Sequence, residues 1–223
     1  MSAALAAPRT LSDRVKPLLR GVSHQIAFYL ALIVGGALTA LAKPGVPTWS
    51  ALVYSICLVA LFGISSAYHR PTWTPEARQW MRRLDHAGIL LMIAGNYTPI
   101  CLLAIKGTAG ERALIAVWIG AALGIVKTIV WVNAPKWLFA LMCVLFAWAM
   151  MSQWPAVHAG IGDGGAWLLF IGGAMYTGGA VIYALKRPDP FPATFGYHEI
   201  FHALVITAAF CHFFIVRALV LPA

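Results

Sequence analysis

The sequence contains little charge, and most of that charge is positive. Only 10% of its 223 residues are charged, with seven acidic residues against sixteen lysines and arginines, whereas 61% are hydrophobic. This scarcity excludes an ordinary soluble protein, because one soluble core could not hide so much apolar surface. We therefore predict a chain that lies in a lipid bilayer, where basic residues flank spans. No nucleic-acid partner is expected from the net charge of +9.

Cysteine is also scarce, and its positions predict no covalent framework. The four cysteines lie in separate apolar stretches without C-x-x-C pairing: Cys57, Cys101, Cys143 and Cys211. We interpret them as small core residues rather than disulfide partners.

Long apolar runs predict about seven membrane-spanning helices. Each crossing requires ~20 apolar residues and a short loop, so a chain of this length has room for roughly seven. The runs lie at about residues 25–42, 51–69, 85–105, 112–131, 136–154, 165–185 and 197–220. The predicted fold class is an all-α membrane protein, a seven-transmembrane helix bundle, with residues 1–24 as a cytoplasmic tail and residues 25–223 as the membrane domain.

The distribution of basic residues predicts the orientation of the bundle. Twelve of the sixteen lysines and arginines fall on the side of the N-terminus, and four fall on the other side: Lys43, Lys106, Arg112 and Arg217. The excess places the N-terminus in the cytoplasm and the C-terminus outside. The basic segment from Thr74 to Arg83 is predicted either as a short amphipathic helix along the inner interface or as a loop.

Four of the seven histidines fall at the same predicted depth, near the cytoplasmic surface. His69 ends the second span, His86 opens the third, and the pair His198 and His202 opens the seventh. Residues four apart project from one face of an α-helix, about 6 Å from each other, so this pair can bind one metal ion. We predict a zinc site formed by this pair and His69, because three protein ligands with an open fourth position are typical of catalytic zinc.

Two further polar residues are predicted to act at this site. Asp85, at the start of the third span, is the nearest acid that can balance Zn²⁺ held by three neutral imidazoles. We expect it to accept a hydrogen bond from water at the open position of the metal. Ser65 lies one helical turn before His69, on the same stripe of the second span.

Other assignments of these residues stay open. His86 is either an additional ligand or a partner of a neighbouring backbone carbonyl, whereas His24, His158 and His212 are interpreted as anchors at the membrane interface. Residues 198–202 also match H-E-x-x-H, in which Glu199 would be the general base of a zinc protease. We favour the interpretation in which Asp85 positions the metal-bound water, because soluble zinc proteases place the motif in an aqueous cleft and here it opens a membrane span.

The motifs resemble the haemolysin III branch of the progestin and adipoQ receptor family, part of a superfamily that includes alkaline ceramidases. The matching stretches are residues 65–69 (SSAYH), 84–89 (LDHAGI), 94–99 (AGNYTP) and 198–202 (HEIFH). The resemblance extends over almost the whole chain. It implies a seven-helix bundle in which His69, His198 and His202 bind zinc on the cytoplasmic side, Asp85 contacts a metal-bound water, and Ser65 supports the site.

The resemblance to ceramidases implies a zinc hydrolase that cleaves an amide or ester bond in a lipid, which would enter laterally between helices. A second hypothesis is a non-enzymatic protein of the cell membrane in which zinc joins three helices and the bundle senses membrane state. A pore-forming haemolysin is a third, although no span has the polar stripe that a water-filled channel requires. The substrate and the oligomeric state are not predicted.

Overall fold

The computed structural model describes residues 16–131 and 133–221. Within these ranges the chain is almost entirely helical, and β-structure is limited to one isolated bridge between Phe191 and Phe195. The prediction of an all-α fold is confirmed. Most of the predicted tail, residues 1–15, lies outside the described ranges, so the tail boundary at residue 24 stays a prediction.

The described chain folds into seven α-helices that follow one another with short connections. They are α1 (Val22–Leu41), α2 (Val46–His69), α3 (Pro75–Pro99), α4 (Thr108–Val130), α5 (Lys136–Trp148), α6 (Trp154–Leu185) and α7 (Tyr197–Val220). A π-helical turn, Ile100–Ala104, extends α3, and a 3₁₀ turn, Ala149–Gln153, joins α5 to α6.

Six helical segments in the described ranges are long and apolar enough to cross a membrane. Five of them are α1, α2, α3 with its π turn, α4 and α7, and the sixth extends from Lys136 to Leu185. Large apolar side chains also cover the outside of the bundle, such as Ile33 and Leu123, which are 68% and 65% exposed. An outer surface of this kind suits acyl chains rather than water.

The sixth segment contains two helices that run antiparallel. Lys136 lies over the ring of Tyr183, and the Trp148 indole donates a hydrogen bond of 3.0 Å to the Thr177 hydroxyl. A residue early in α5 thus contacts a residue late in α6, and a later residue of α5 contacts an earlier one of α6. The two helices therefore run in opposite directions. At Gly162 the helical conformation is interrupted by a φ of +65°, between the predicted apolar runs 136–154 and 165–185.

The third helix begins ten residues earlier than predicted. The Thr74 hydroxyl caps it by accepting a hydrogen bond from the Ala77 amide, and Pro75 occupies its first position, a combination that favours helix initiation. The segment from Thr74 to Arg83 is thus the first part of α3. The prediction of a helix there is confirmed and that of a loop is wrong, although the helix is the start of α3 rather than a short helix of its own. Its position along the inner interface stays a prediction.

Packing brings the C-terminal end of α2 next to the N-terminal end of α7. Except for α4 and α5, helices adjacent in sequence pack closely against each other, and α7 returns beside α1 and α2. Gly95 allows α3 to approach α2 closely, since a Cβ atom there would lie 2.6 Å from Cys57 Cβ. The end of α2 and the starts of α1, α3 and α7 share one end of the bundle, which we call the histidine end because it carries His24, His69, His86, His198 and His202.

Candidate metal centre

Three imidazoles converge at the histidine end. His69, His198 and His202 each offer one ring nitrogen, and these nitrogens lie within 4.8 Å of one another. His69 Nε2 and His198 Nε2 are 3.1 Å apart. Two nitrogens bound tetrahedrally to one zinc ion at 2.0–2.1 Å are separated by about 3.3 Å, so the spacing suits a shared metal ion.

The helices hold these side chains in a dry environment. His69 is the last residue of α2, and His198 and His202 occupy the first two turns of α7. His69 and His198 are each 8% exposed and His202 is 1% exposed. His202 Nδ1 is buried and has no hydrogen-bond partner among the described residues. Three imidazole nitrogens are a donor set that fits a borderline-soft cation such as zinc.

Asp85 and Ser65, the two further polar residues predicted for the site, lie beside His69. Asp85 Oδ2 is 3.8 Å from His69 Nε2, too far for a direct hydrogen bond. Ser65 is buried one turn before His69, and its hydroxyl lies beside the Asp85 carboxyl group. The carboxyl group therefore faces the candidate metal position without being a member of the three-nitrogen group.

Glu199, the acid of the H-E-x-x-H pattern, is directed elsewhere. One carboxylate oxygen pairs with Arg20 Nε, and the other accepts a hydrogen bond of 2.8 Å from the Gly196 amide at the start of α7. The side chain is only 2% exposed. Because both oxygens are occupied, Glu199 stabilises the first turn of α7 and is poorly placed to act as a general base.

The segment before α1 crosses the histidine end of the bundle. The Leu18 and Leu19 amides donate hydrogen bonds to the Ala193 and Thr194 carbonyls, between α6 and α7. This crossing brings Arg20 to Glu199. It also brings Gly21 so close to α2 that a Cβ atom at position 21 would lie 2.6 Å from His69 Cβ.

A cavity of about 130 Å³ extends from this site into the bundle. Asp85 and His198 line one end, and Ile100 and Met150 line the other. Asp85 and Ile100 are fifteen residues apart on α3 and its π turn, so the cavity extends along about 22 Å of helix. Its walls are mostly apolar side chains, which makes it suitable for a hydrocarbon chain.

Comparison with known proteins identifies the family. A family model described as haemolysin-III related matches residues 12–213. The chain belongs to this haemolysin III-related family. It is a multi-pass membrane protein, and the resemblance drawn from the motifs is confirmed.

Individual relatives agree with the family assignment. This haemolysin III-related chain is 30% identical to a hemolysin-3 homolog of Bacillus subtilis over 164 residues, 74% of each protein. It is 29% identical to hemolysin-3 of Bacillus cereus over 170 residues, 76% of this chain and 74% of that protein. An adiponectin receptor protein of Drosophila melanogaster is 28% identical over 204 residues, 81% of this chain but 46% of the receptor. The last match connects the haemolysin III branch to the wider receptor family.

Two histidines of the haemolysin III-related chain that the sequence places at the interface lie in the interior. His24 is 2% exposed and stacks on His202. His212 lines the cavity together with Asn96 and Tyr176, and these three side chains carry buried polar atoms without hydrogen-bond partners in the described ranges. The assignment of both histidines as interface anchors is wrong.

Two features of the sequence could have placed His24 and His212 in the interior. His24 opens the first span at the same predicted depth as the other site histidines. His212 follows His198 by fourteen residues, which places the two about 40° apart around α7.

The other two histidines lie apart from the three-nitrogen group. His86 stacks on Phe139, with ring centroids 4.3 Å apart, and does not belong to the group within the described chain. His158 lies near Gly162, far along the chain from the site, and one of its ring nitrogens is 2.9 Å from an Asp163 oxygen.

Proposed function

We propose that this haemolysin III-related protein is a zinc-dependent membrane hydrolase that cleaves an amide or ester bond of a lipid. One observation carries the proposal. Three buried imidazoles and a carboxyl group meet at the end of a long apolar cavity, so the groups needed for hydrolysis adjoin a space suited to an acyl chain.

The proposal includes the membrane topology. Counting the antiparallel helices α5 and α6 separately gives seven crossings, with the N-terminus in the cytoplasm and the C-terminus outside the cell membrane. The excess of lysine and arginine on the N-terminal side supports this orientation. The histidine end then faces the cytoplasm, where water reaches the site.

His69, His198 and His202 hold the zinc ion in this proposal. Zinc bound there supplies Lewis acidity to a carbonyl oxygen and acidifies a water molecule near neutral pH. The burial of the three imidazoles keeps the site partly dry, which strengthens electrostatic interactions at the reacting carbonyl.

Asp85 acts as the general base and acid. Its Oδ2 atom accepts a proton as the oxygen of water bonds to the carbonyl carbon, and it returns that proton to the amine or alcohol as the C–N or C–O bond breaks. The products are a fatty acid and the amine or alcohol. The Ser65 hydroxyl orients the Asp85 carboxyl group, and the cavity walls hold the acyl chain.

A non-enzymatic function is the second candidate, and one observation favours it. The three histidines join α2 to α7, and His24 adds α1 through its stack on His202. A metal ion at this junction would cross-link the bundle whether or not it catalysed a reaction.

The Asp85→Asn variant separates the two functions. Wild type, Asp85→Asn and His198→Ala would be purified in detergent, assayed for metal by elemental analysis, and incubated with a panel of lipid amides and esters. We expect about one equivalent of zinc and lipid hydrolysis in wild type. Asp85→Asn should keep its zinc and lose at least ~100-fold in turnover, and His198→Ala should lose both.

Two results would contradict the proposal, the first in the hydrolase activity and the second in the role of Asp85. Wild type that holds zinc without cleaving any lipid of the panel would favour the zinc-stabilised scaffold. Turnover that persists in Asp85→Asn would show that this carboxyl group is not the base.

A further inference from the structure

A second, smaller pocket lies at the histidine end, between the start of α3, the end of α4, the start of α5 and the end of α6. Four basic side chains line it: Arg82, His86, Lys127 and Lys136. The remaining lining residues include Trp131 and Tyr183, and none of the lining residues is acidic.

The positive charge of this pocket is not neutralised by ion pairs. Within residues 16–131 and 133–221, no carboxylate lies within salt-bridge distance of Arg82, Lys127 or Lys136. Arg82 donates one hydrogen bond, of 2.7 Å, to the neutral Asn133 amide oxygen. Its Nε atom is buried and has no hydrogen-bond partner in the same ranges. A buried guanidinium N–H without an acceptor is unfavourable, so an acceptor from a ligand would be stabilised there.

Aromatic rings hold the two lysines at the pocket. Lys127 Nζ lies 5.5 Å from the ring centroid of Trp131, and Lys136 Nζ lies 4.7 Å from that of Tyr183. These distances are within the range of cation–π attraction, which favours ammonium groups beside the pocket over positions free in water. Trp131 is 51% exposed at the end of α4, as expected of an aromatic residue at headgroup level.

We propose that this basic pocket binds the phosphate group of an anionic membrane phospholipid. The planar guanidinium of arginine and the ammonium group of lysine are the side-chain groups that bind phosphate best. Basic pockets between transmembrane helices also bind acidic lipid headgroups. Basic residues that merely flank spans stay hydrated and bind no particular lipid. The buried Arg82 Nε and the enclosure by four helices distinguish this pocket from such residues.

The position of the pocket relates the bound lipid to the main cavity. His86, Phe139 and Tyr183 line both spaces and form the wall between them. A phospholipid held by its phosphate would therefore lie beside the entrance to the cavity and next to Asp85. The proposal does not depend on the hydrolase function, because the pocket lies outside the three-histidine group.

Phosphate recognition can be tested with soluble probes. The purified full-length protein in a non-ionic detergent would be titrated with dihexanoyl phosphatidylglycerol, dihexanoyl phosphatidylcholine and inorganic phosphate, and the thermal unfolding midpoint would report binding. Arg82→Gln and Lys127→Gln each remove one charge from the pocket. Arg78→Gln is the matched control, since it removes one charge from the preceding turn of α3 and does not line the pocket.

We expect phosphatidylglycerol to bind at least tenfold more tightly than phosphatidylcholine. Arg82→Gln and Lys127→Gln should each weaken its binding about tenfold or more, and Arg78→Gln by less than twofold. Inorganic phosphate that binds as tightly as phosphatidylglycerol, with the same sensitivity to the variants, would overturn the phospholipid as occupant and indicate a phosphate pocket filled from solution. Equal weakening by all three variants, or no preference for phosphatidylglycerol, would overturn the proposal. Two separate pocket variants keep the test decisive if one of them fails to fold.

Discussion

His24 stacks face to face on His202, with ring centroids 3.8 Å apart and an angle of 10° between the planes. The first helix thus supports a candidate ligand carried by the last helix. Because His202 is almost completely buried, the orientation of its ring depends on this neighbour more than on solvent.

The stack predicts that an aromatic ring at position 24 is needed for tight metal binding. His24→Ala removes the surface against which His202 rests, and loss of such a supporting partner commonly lowers metal affinity by about 10–100-fold. His24→Phe keeps the flat surface and should retain affinity close to wild type. Zinc competition with a chromogenic chelator would measure both variants. Equal affinities in all three proteins would show that the stack has no influence on the ligand.

Removal of the metal should loosen the histidine end. A ligand bound only by the folded protein, at a concentration about 1,000 times its Kd, stabilises it by about 4 kcal/mol. Chelation should therefore lower the thermal unfolding midpoint of wild type, and added zinc should restore it. His202→Ala should unfold at the lower midpoint with or without chelator. A wild-type midpoint insensitive to chelator and to zinc would argue against a metal between α2 and α7.

Glu199 is predicted to act in stability rather than in catalysis. Glu199→Gln can still cap α7 but loses the ion pair with Arg20, which should reduce the free energy of unfolding by about 2 kcal/mol. Arg20→Gln should have a similar effect, and the double variant should lose less than the sum of the two, because each residue acts through the other. Denaturant titration in micelles would give the three values.

A measurement of activity in Glu199→Gln tests whether Glu199 also has a catalytic role. Folded Glu199→Gln should keep its zinc and its turnover per zinc ion. If it keeps zinc and loses turnover, Glu199 is the general base after all, as the H-E-x-x-H pattern suggests.

Gly21 should be intolerant of any side chain. Its φ of +79° is unfavourable for other residues by roughly 1–2 kcal/mol, and a Cβ atom there would collide with His69. Gly21→Ala is expected to lower both stability and zinc affinity, because His69 must move away. Gly36→Ala is the control, since a Cβ atom at this helical position of α1 meets no atom within 4 Å. Comparable losses in the two variants would rule out a specific contact with His69.

The cavity predicts a dependence on acyl-chain length in the proposed reaction. Val144 lines the cavity, whereas the adjacent Leu145 is 63% exposed on the outside of α5. Val144→Trp should lower kcat/KM for long-chain lipids about tenfold or more, since a blocked cavity forfeits the burial of several CH₂ groups at ≈ 0.8 kcal/mol each. Short-chain lipids and zinc content should be little affected. Leu145→Trp should resemble wild type, and a similar loss in both variants would indicate general damage to α5.

Local patterns in the sequence account for much of the fold. Helix type, approximate span positions and the shared face of His198 and His202 follow from hydrophobic length and the 3.6-residue period, which act within one segment. The depth of His69 and Asp85 follows from their positions at span ends. Local capping was missed at Thr74, where α3 begins ten residues before its apolar run.

Contacts between helices were decided by tertiary structure alone. The pairing of Glu199 with Arg20, the stack of His24 on His202 and the common wall of the two pockets depend on how far each helix rotates and how closely it approaches its neighbour. Those quantities are set by packing at positions such as Gly95 and Gly21, where the lack of a side chain permits contact. Period and apolar length are local properties, so a helical membrane chain with several histidines at one predicted depth could be read from the sequence. Which acid faces those side chains, and what supports them, depended on the three-dimensional arrangement of segments more than a hundred residues apart.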